Sequence, residues 1–193
     1  MEVLSFYIGA FLLVLFCTAF VKLLTALSIF RYGLGLDSAP FGLVVLALSL
    51  VLSFFVMEPQ LKSATGLQSF MNGSQLNTEN IEASFSPFLL KHTEVKFTDK
   101  LNKIAEKSGS EHKDTFALKL SAFMLSELSS AFLIGLIVIL PFLIIDLLIA
   151  NAMAALNITS LSTAVVSLPV KLLLFVALDG WLLISEKLLG GYF

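Results

Sequence analysis

The sequence predicts an all-α integral membrane protein with about four long apolar helices in two hairpins, kinked by proline, and a helical polar domain between them. Three observations predict it. Hydrophobic residues make up 58% of the 193 positions and the mean hydropathy is +0.95, far outside the usual soluble range. Uncharged runs occupy residues 3–21, 38–57, 128–145 and 147–170. A helix needs about 20 residues, each rising about 1.5 Å, to cross roughly 30 Å of hydrocarbon. No strand alternation of the barrel type and no repeat at periods of about 20–50 residues competes with that reading.

The first run reads as a retained helix. Glu2 is the only charge before Lys22, so a basic leader is missing, and no small-x-small cleavage pattern follows. Phe16 directly before Cys17 argues against a lipoprotein cysteine, and Cys17 reads as a small apolar packing residue. A single cysteine leaves no intrachain disulfide. Gly33-Leu34-Gly35 forms a tight connection to the second run. That connection carries Lys22 and Arg31 against Asp37, so the positive-inside tendency places it in the cytoplasm, with the N-terminus and the polar domain outside.

Sixteen of the 26 charged residues fall between Glu58 and Lys119, eight acidic and eight basic. This balance defines a polar extramembrane domain, 58–119, between membrane hairpins at 1–57 and 120–193. Residues 63–87 are rich in Ser, Asn, Gly and Gln and read as loop or weakly ordered linker. Leu101, Ile104 and Ala105 then form a short apolar stripe ended by Ser108-Gly109. Ser110 is an N-cap candidate, with Glu111 and Asp114 in the first turn, where the helix dipole favours acids. Phe116, Leu120, Phe123 and Met124 share one helical face, and the helix is expected to continue into the third run without a stop.

Glu127, Asp146, Lys171 and Asp179 lie inside or at the ends of the later apolar segments. A charge at mid-membrane costs at least ~2.5–3.5 kcal/mol, so these groups should face protein or water. Two arrangements fit. Lys171 pairs with an acid from a neighbouring helix or subunit and fixes the register of assembly, which would make the four charges candidates for intersubunit pairing. Alternatively, Glu127 and Asp146 sit at helix ends on the membrane surface and Lys171 snorkels. Pro141 is expected to bend its helix, and Pro169 to hold Leu168 extended and start a new one, as in a re-entrant hairpin. Phe142 and Trp181 read as packing or interface aromatics.

The sequence offers little to catalysis. His92 and His112 lack metal-ligand spacing, and there is no nucleophile elbow, phosphate loop or dinucleotide fingerprint. Asp146 and Asp179 are separated by a proline break, and nothing in their spacing supports an intramembrane dyad. Asn157-Ile158-Thr159 matches a glycosylation sequon but lies in an apolar run. A net charge of −2 gives no sign of nucleic-acid binding. Neither an enzyme nor a cofactor is expected. On the residues alone, the chain reads as part of a polar conduit or a tightly packed assembly, with a small solute transporter or channel subunit as one form of it.

Longer motifs carry a resemblance. Phe123-Met124-Leu125-Ser126-Glu127-Leu128, Ala131-Phe132, Gly135 and Leu140-Pro141-Phe142-Leu143-Ile144-Ile145-Asp146-Leu147 resemble the FliP/SctR family of type III secretion export-apparatus membrane proteins. The likeness continues through Ser167-Leu168-Pro169-Val170-Lys171-Leu172-Leu173-Leu174-Phe175 and Asp179-Gly180-Trp181. Phe30-Arg31, Leu34-Gly35 and Pro40 add to it, so it covers about residues 20–58 and 120–185. The resemblance implies a multi-pass protein of the bacterial inner membrane, assembled as a pentamer with FliQ/SctS-type and FliR/SctT-type subunits. Together these form a gate for unfolded export substrates, with helices partly raised above the bilayer. The short N-terminus without a removable leader favours the injectisome, virulence-associated branch. Family members carry a methionine-rich loop as a soft gasket between the last two helices, and here the aligned positions read Asn157-Ile158-Thr159-Ser160. Met153, Leu156, Ile158 and Thr159 are therefore the candidate pore constriction, more polar than a ring of thioethers.

Overall fold

The computed structural model describes residues 19–63, 78–107, 115–158 and 160–192, and every regular element among them is helical. The helices are α1 (Phe20–Leu34), α2 (Ala39–Ser63), α3 (Thr78–His92), α4 (Val95–Lys107), α5 (Phe116–Ala155), α6 (Thr163–Ala177) and α7 (Gly180–Leu189). Ala39–Pro59 of α2 and all of α5 are long and apolar enough to cross a membrane, and α6 with α7 reach that length only as a pair bent by 67°, either one broken span or a re-entrant loop. The described residues therefore hold two straight spans and one bent pair where about four long helices were expected. Most of the first apolar run, with Cys17, lies outside them, as do Ser110 and His112.

Contacts divide the chain into two units, Met1–Lys22 with Leu50–Ser130 and Leu23–Ser49 with Ala131–Phe193. In the first unit, α3 occupies much of what composition marked as linker. Its Phe85, Phe88 and Leu89 are buried, and the Phe88 ring lies 5.7 Å from that of Phe123. Burying each such side chain contributes about 1.5–3 kcal/mol. Three of them outweigh the roughly 3 kcal/mol cost of Pro87 inside the helix. The polar letters hid an i, i+3, i+4 apolar face. His92, one of the two histidines, stacks beside Phe88 at 4.6 Å.

Thr93 and Glu94 separate α3 from α4, and the Glu94 N–H donates to Ser126 Oγ at 3.1 Å, which ties the start of α4 to α5. The expected stripe of Leu101, Ile104 and Ala105 is present on α4, but the helix buries no residue. Helix α5 is the long continuous element anticipated from the Phe116–Met124 face. At 40 residues it is about 60 Å long, twice a hydrocarbon core, so a large part must lie outside one. It passes through Pro141 without interruption.

In the second unit, the Phe30 ring is the hub. It lies 4.9 Å from Phe175, 5.9 Å from Phe142 and 5.9 Å from Trp181, which brings α1, α5, α6 and α7 together. Phe142 and Trp181 are thus packing aromatics, although Trp181 stays 49% exposed. Backbone proximity makes this possible. A Cβ on Gly33 would collide with Ile139, and one on Gly135 would stand 2.9 Å from Ile29. Both positions lie on the α1–α5 contact and accept no side chain without displacement.

Pro169 departs from expectation. It does not start a helix: α6 begins six residues earlier, at Thr163, and Leu168 is helical. Ser162 caps that start by accepting the Val165 N–H at 3.4 Å. The lost backbone bond at Pro169 is offset by a buried face of Ser167, Lys171 and Phe175, at i, i+4, i+8. The real break comes at Asp179, whose left-handed backbone (φ 48°, ψ 46°) turns the chain into α7.

A Gly33→Leu substitution is expected to destabilise the protein by about 1–3 kcal/mol through overpacking against Ile139. Thermal unfolding of the detergent-solubilised protein checks this, and an unchanged midpoint would mean that the α1–α5 contact is loose.

Candidate functional site

Helix α1 ends in a pattern that its sequence dictates. Gly35 adopts φ +80°, and its N–H donates to the Tyr32 carbonyl at 3.0 Å, while the Leu36 N–H donates to the Arg31 carbonyl at 3.2 Å. This is a Schellman stop, with glycine where a left-handed residue is required. Two of the four carbonyls left over at a helix end are thereby satisfied. The Gly33 carbonyl is satisfied differently: Lys171 Nζ donates to it at 3.0 Å.

The same ammonium contacts Asp146 Oδ2 at 2.6 Å, as both hydrogen bond and ion pair. The Lys171 side chain is only 6% exposed, and that of Asp146 is 35% exposed. Ser167, fully buried one turn before Lys171, approaches the same carboxylate. The cation thus meets an anion and a helix C-terminus, both of which favour positive charge. Three helices, α1, α5 and α6, converge on one nitrogen.

A second pair lies in the other unit. Lys22 Nζ stands 3.7 Å from Glu127 Oε2, and both side chains are 5% exposed. In the sequence Lys22 served only as a topology marker, and its carboxylate partner 105 positions away gave no local signal. Neither pair resembles snorkelling, because the lysine ends are buried. Both pairs form within the chain. Asp179, by contrast, is exposed at the α6–α7 bend, and its side chain makes no cap bond there.

Helix α5 also stops by a Schellman motif. Asn157 takes φ 55°, its N–H donates to the Ala154 carbonyl at 3.1 Å, and the Ile158 N–H donates to the Met153 carbonyl at 2.9 Å. Asparagine is the usual substitute for glycine at this left-handed position, which gives Asn157 a structural task independent of any sequon. Between this stop and the Ser162 cap the chain exposes Leu156 (70%), Ile158 and Leu161, while Met153 is buried. Thr159 lies outside the described residues. Among the described residues no group of three or more His, Cys, Asp or Glu side chains is placed to hold a metal ion.

The remaining faces of the spans are apolar and uncovered, including Leu133, Leu136, Ile137, Ile144 and Leu148 on α5 and Leu173 and Val176 on α6. Spans with such faces define an integral membrane protein. Comparison with known proteins gives the particular kind. A FliP family model matches residues 1–188. The flagellar biosynthetic protein FliP of Cereibacter sphaeroides is 40% identical over 93% of this chain and 62% of its own length. The Yop proteins translocation protein R of Yersinia pestis is 33% identical over 91% of this chain and 87% of its own. For the surface presentation of antigens protein SpaP of Shigella flexneri, the identity is 33% and the shares are 98% and 93%. The chain belongs to the FliP family, the inner-membrane subunits of type III secretion export apparatus, flagellar or injectisome.

Replacing Lys171 by Met strands a carboxylate and a helix-end carbonyl, with an expected loss of about 3 kcal/mol, the lower end of the range because Asp146 is partly exposed. Adding Asp146→Asn to that variant should recover part of the loss. Thermal unfolding of the three proteins checks this, and equal stability of all three would show that the pair contributes nothing.

Proposed function

We propose that this chain is a core structural subunit of a type III export gate, passing unfolded protein substrates across the bacterial inner membrane without catalysis or cofactor. The proposed assembly is a homo-pentamer joined by FliQ/SctS-type and FliR/SctT-type subunits. Residues 1–57 and 120–193 serve as its membrane hairpins and 58–119 as its extramembrane domain. The observation that carries this reading is the internal neutralisation of Lys171 by Asp146 and the Gly33 carbonyl. A solute carrier uses intramembrane charge to select its cargo. Here Lys171 and Lys22 each already have a carboxylate, so their charge supports the fold. In this reading Asp179, exposed at the bend and without a side-chain cap bond, is the one of the four candidate charges left to pair with a sister subunit.

In the same reading the 156–161 connection closes the gate. Leu156, Ile158 and Leu161 are exposed between two well-capped helices, so a stiff frame presents a small apolar tip. Around a symmetry axis such tips form an apolar constriction, which excludes water and ions while offering little grip to a passing chain. Thr159 and Ser160 make that ring more polar than methionine would.

Two measurements test the proposal. Mild-detergent extraction is expected to yield one large complex containing two other small membrane proteins, whereas a homo-oligomer alone would favour a solute carrier. Ile158→Gly combined with Leu156→Gly is expected to raise ion leakage through the assembled complex at least several-fold, and unchanged leakage would remove this segment from the gate.

A further inference from the structure

Helix α4 carries a feature that neither the membrane spans nor the proposed gate uses. Lys96, Lys100, Lys103 and Lys107 recur at i, i+4, i+7, i+11 and form one straight stripe along its whole length. At 11 residues from first to last, the stripe is roughly 16 Å long. All four are exposed. Lys96 pairs locally with Glu94 at 2.6 Å, while Lys100, Lys103 and Lys107 form no ion pair among the described residues. Four like charges at this spacing repel one another; on α4 itself the acids within helical reach, Asp99 and Glu106, both lie on one flank of the stripe, which leaves the flank toward Ile104 without an acid.

Beside the stripe runs an apolar groove of about 430 Å³, lined by Leu101, Ile104 and Ala105 of α4 and by Ala117, Leu118 and Ser121 of α5. Ile104 is 59% exposed and lies between the groove and the lysines. On the α5 side, Ala117 and Ser121 are small, exposed and one turn apart, and the Ser121 hydroxyl is turned back onto the Ala117 carbonyl at 2.7 Å. A helix backbone could approach closely there without displacing a side chain or stranding a polar group.

The orientation of the groove selects its occupant. The Glu94–Ser126 bond at one end and the Leu101–Ser121 neighbourhood further along make α4 run antiparallel to the first turns of α5. A rod laid along the groove would meet all four lysines. We propose that the α4–α5 groove receives an amphipathic helix of another protein, with its apolar face on Ile104 and Leu101 and a row of carboxylates at i, i+4, i+7 against the lysine stripe. This is the helix-in-groove mode of recognition, with the charges providing register and partner choice more than raw affinity.

The test places a photo-crosslinking amino acid at Ile104 in the full chain, in cells that assemble the complete secretion apparatus. The expected result is an adduct to one other protein whose cross-linked peptide, identified by mass spectrometry, carries acidic residues at helical spacing. Combined Lys100→Glu and Lys103→Glu should lower its yield by about five-fold or more, as expected when two attractive charge contacts become repulsive. Lys91→Glu, off the stripe, should not change the yield. An adduct to a second copy of this chain, an adduct to lipid alone, no adduct, or a yield insensitive to the two reversals would each overturn the proposal. Co-purification of the reversal variant with the assembled complex separates loss of docking from loss of folding.

Discussion

One nitrogen holds the membrane-proximal fold together. Lys171 Nζ joins the carboxylate of Asp146 on α5 to the last turn of α1, from a position one turn beyond the buried Ser167 of α6. In apolar surroundings an uncompensated ammonium is too costly to persist, so helices that must satisfy it have little freedom to slide. The glycine contacts at Gly33 and Gly135 follow from the same constraint. Unless α1 and α5 approach to within side-chain-free distance, the Gly33 carbonyl and Asp146 cannot share one cation. The aromatic hub on Phe30 then fills the space beneath.

Three helix ends among the described residues are satisfied by the chain's own groups. Both α1 and α5 close with Schellman motifs, through Gly35 and Asn157, and α6 opens on a serine cap. Water cannot satisfy stray carbonyls and amides near a hydrocarbon layer, so each must be satisfied by the chain. Good stops also make stiff turns. Between the Asn157 stop and the Ser162 cap, Leu156, Ile158 and Leu161 are exposed. The long uncovered apolar faces of α2, α5 and α6 require lipid or neighbouring subunits, as expected for a subunit of a secretion apparatus.

Buried polar groups elsewhere obey the same rule on a smaller scale. Ser49, fully buried on α2, returns its proton to the Val45 carbonyl at 2.7 Å, and Thr93 does the same to Leu89 at 2.6 Å. Such back-bonds let hydroxyls occupy packed helix faces without a partner from outside. They also keep these faces free of obligations to water.

The class, the long helix from Phe116 onward and the tight Gly33–Gly35 turn were legible in the sequence, because hydrophobic run length and glycine conformation are local properties. Glu127, Asp146 and Lys171 stood out there too, since a charge in an apolar run is visible in one dimension. Their partners emerge only from the packed helices. Lys22 and Glu127 are far apart in the chain, as are Lys171 and Gly33, and no spacing rule connects them. The fates of Pro169 and α3 were settled the same way. A proline's local penalty and a polar composition both argued against helix, and both were outweighed by burial of a face whose value depends on what lies opposite it. Propensity accumulates residue by residue along the chain, whereas burial and charge neutralisation are settled between helices, and near a membrane these two outweigh it.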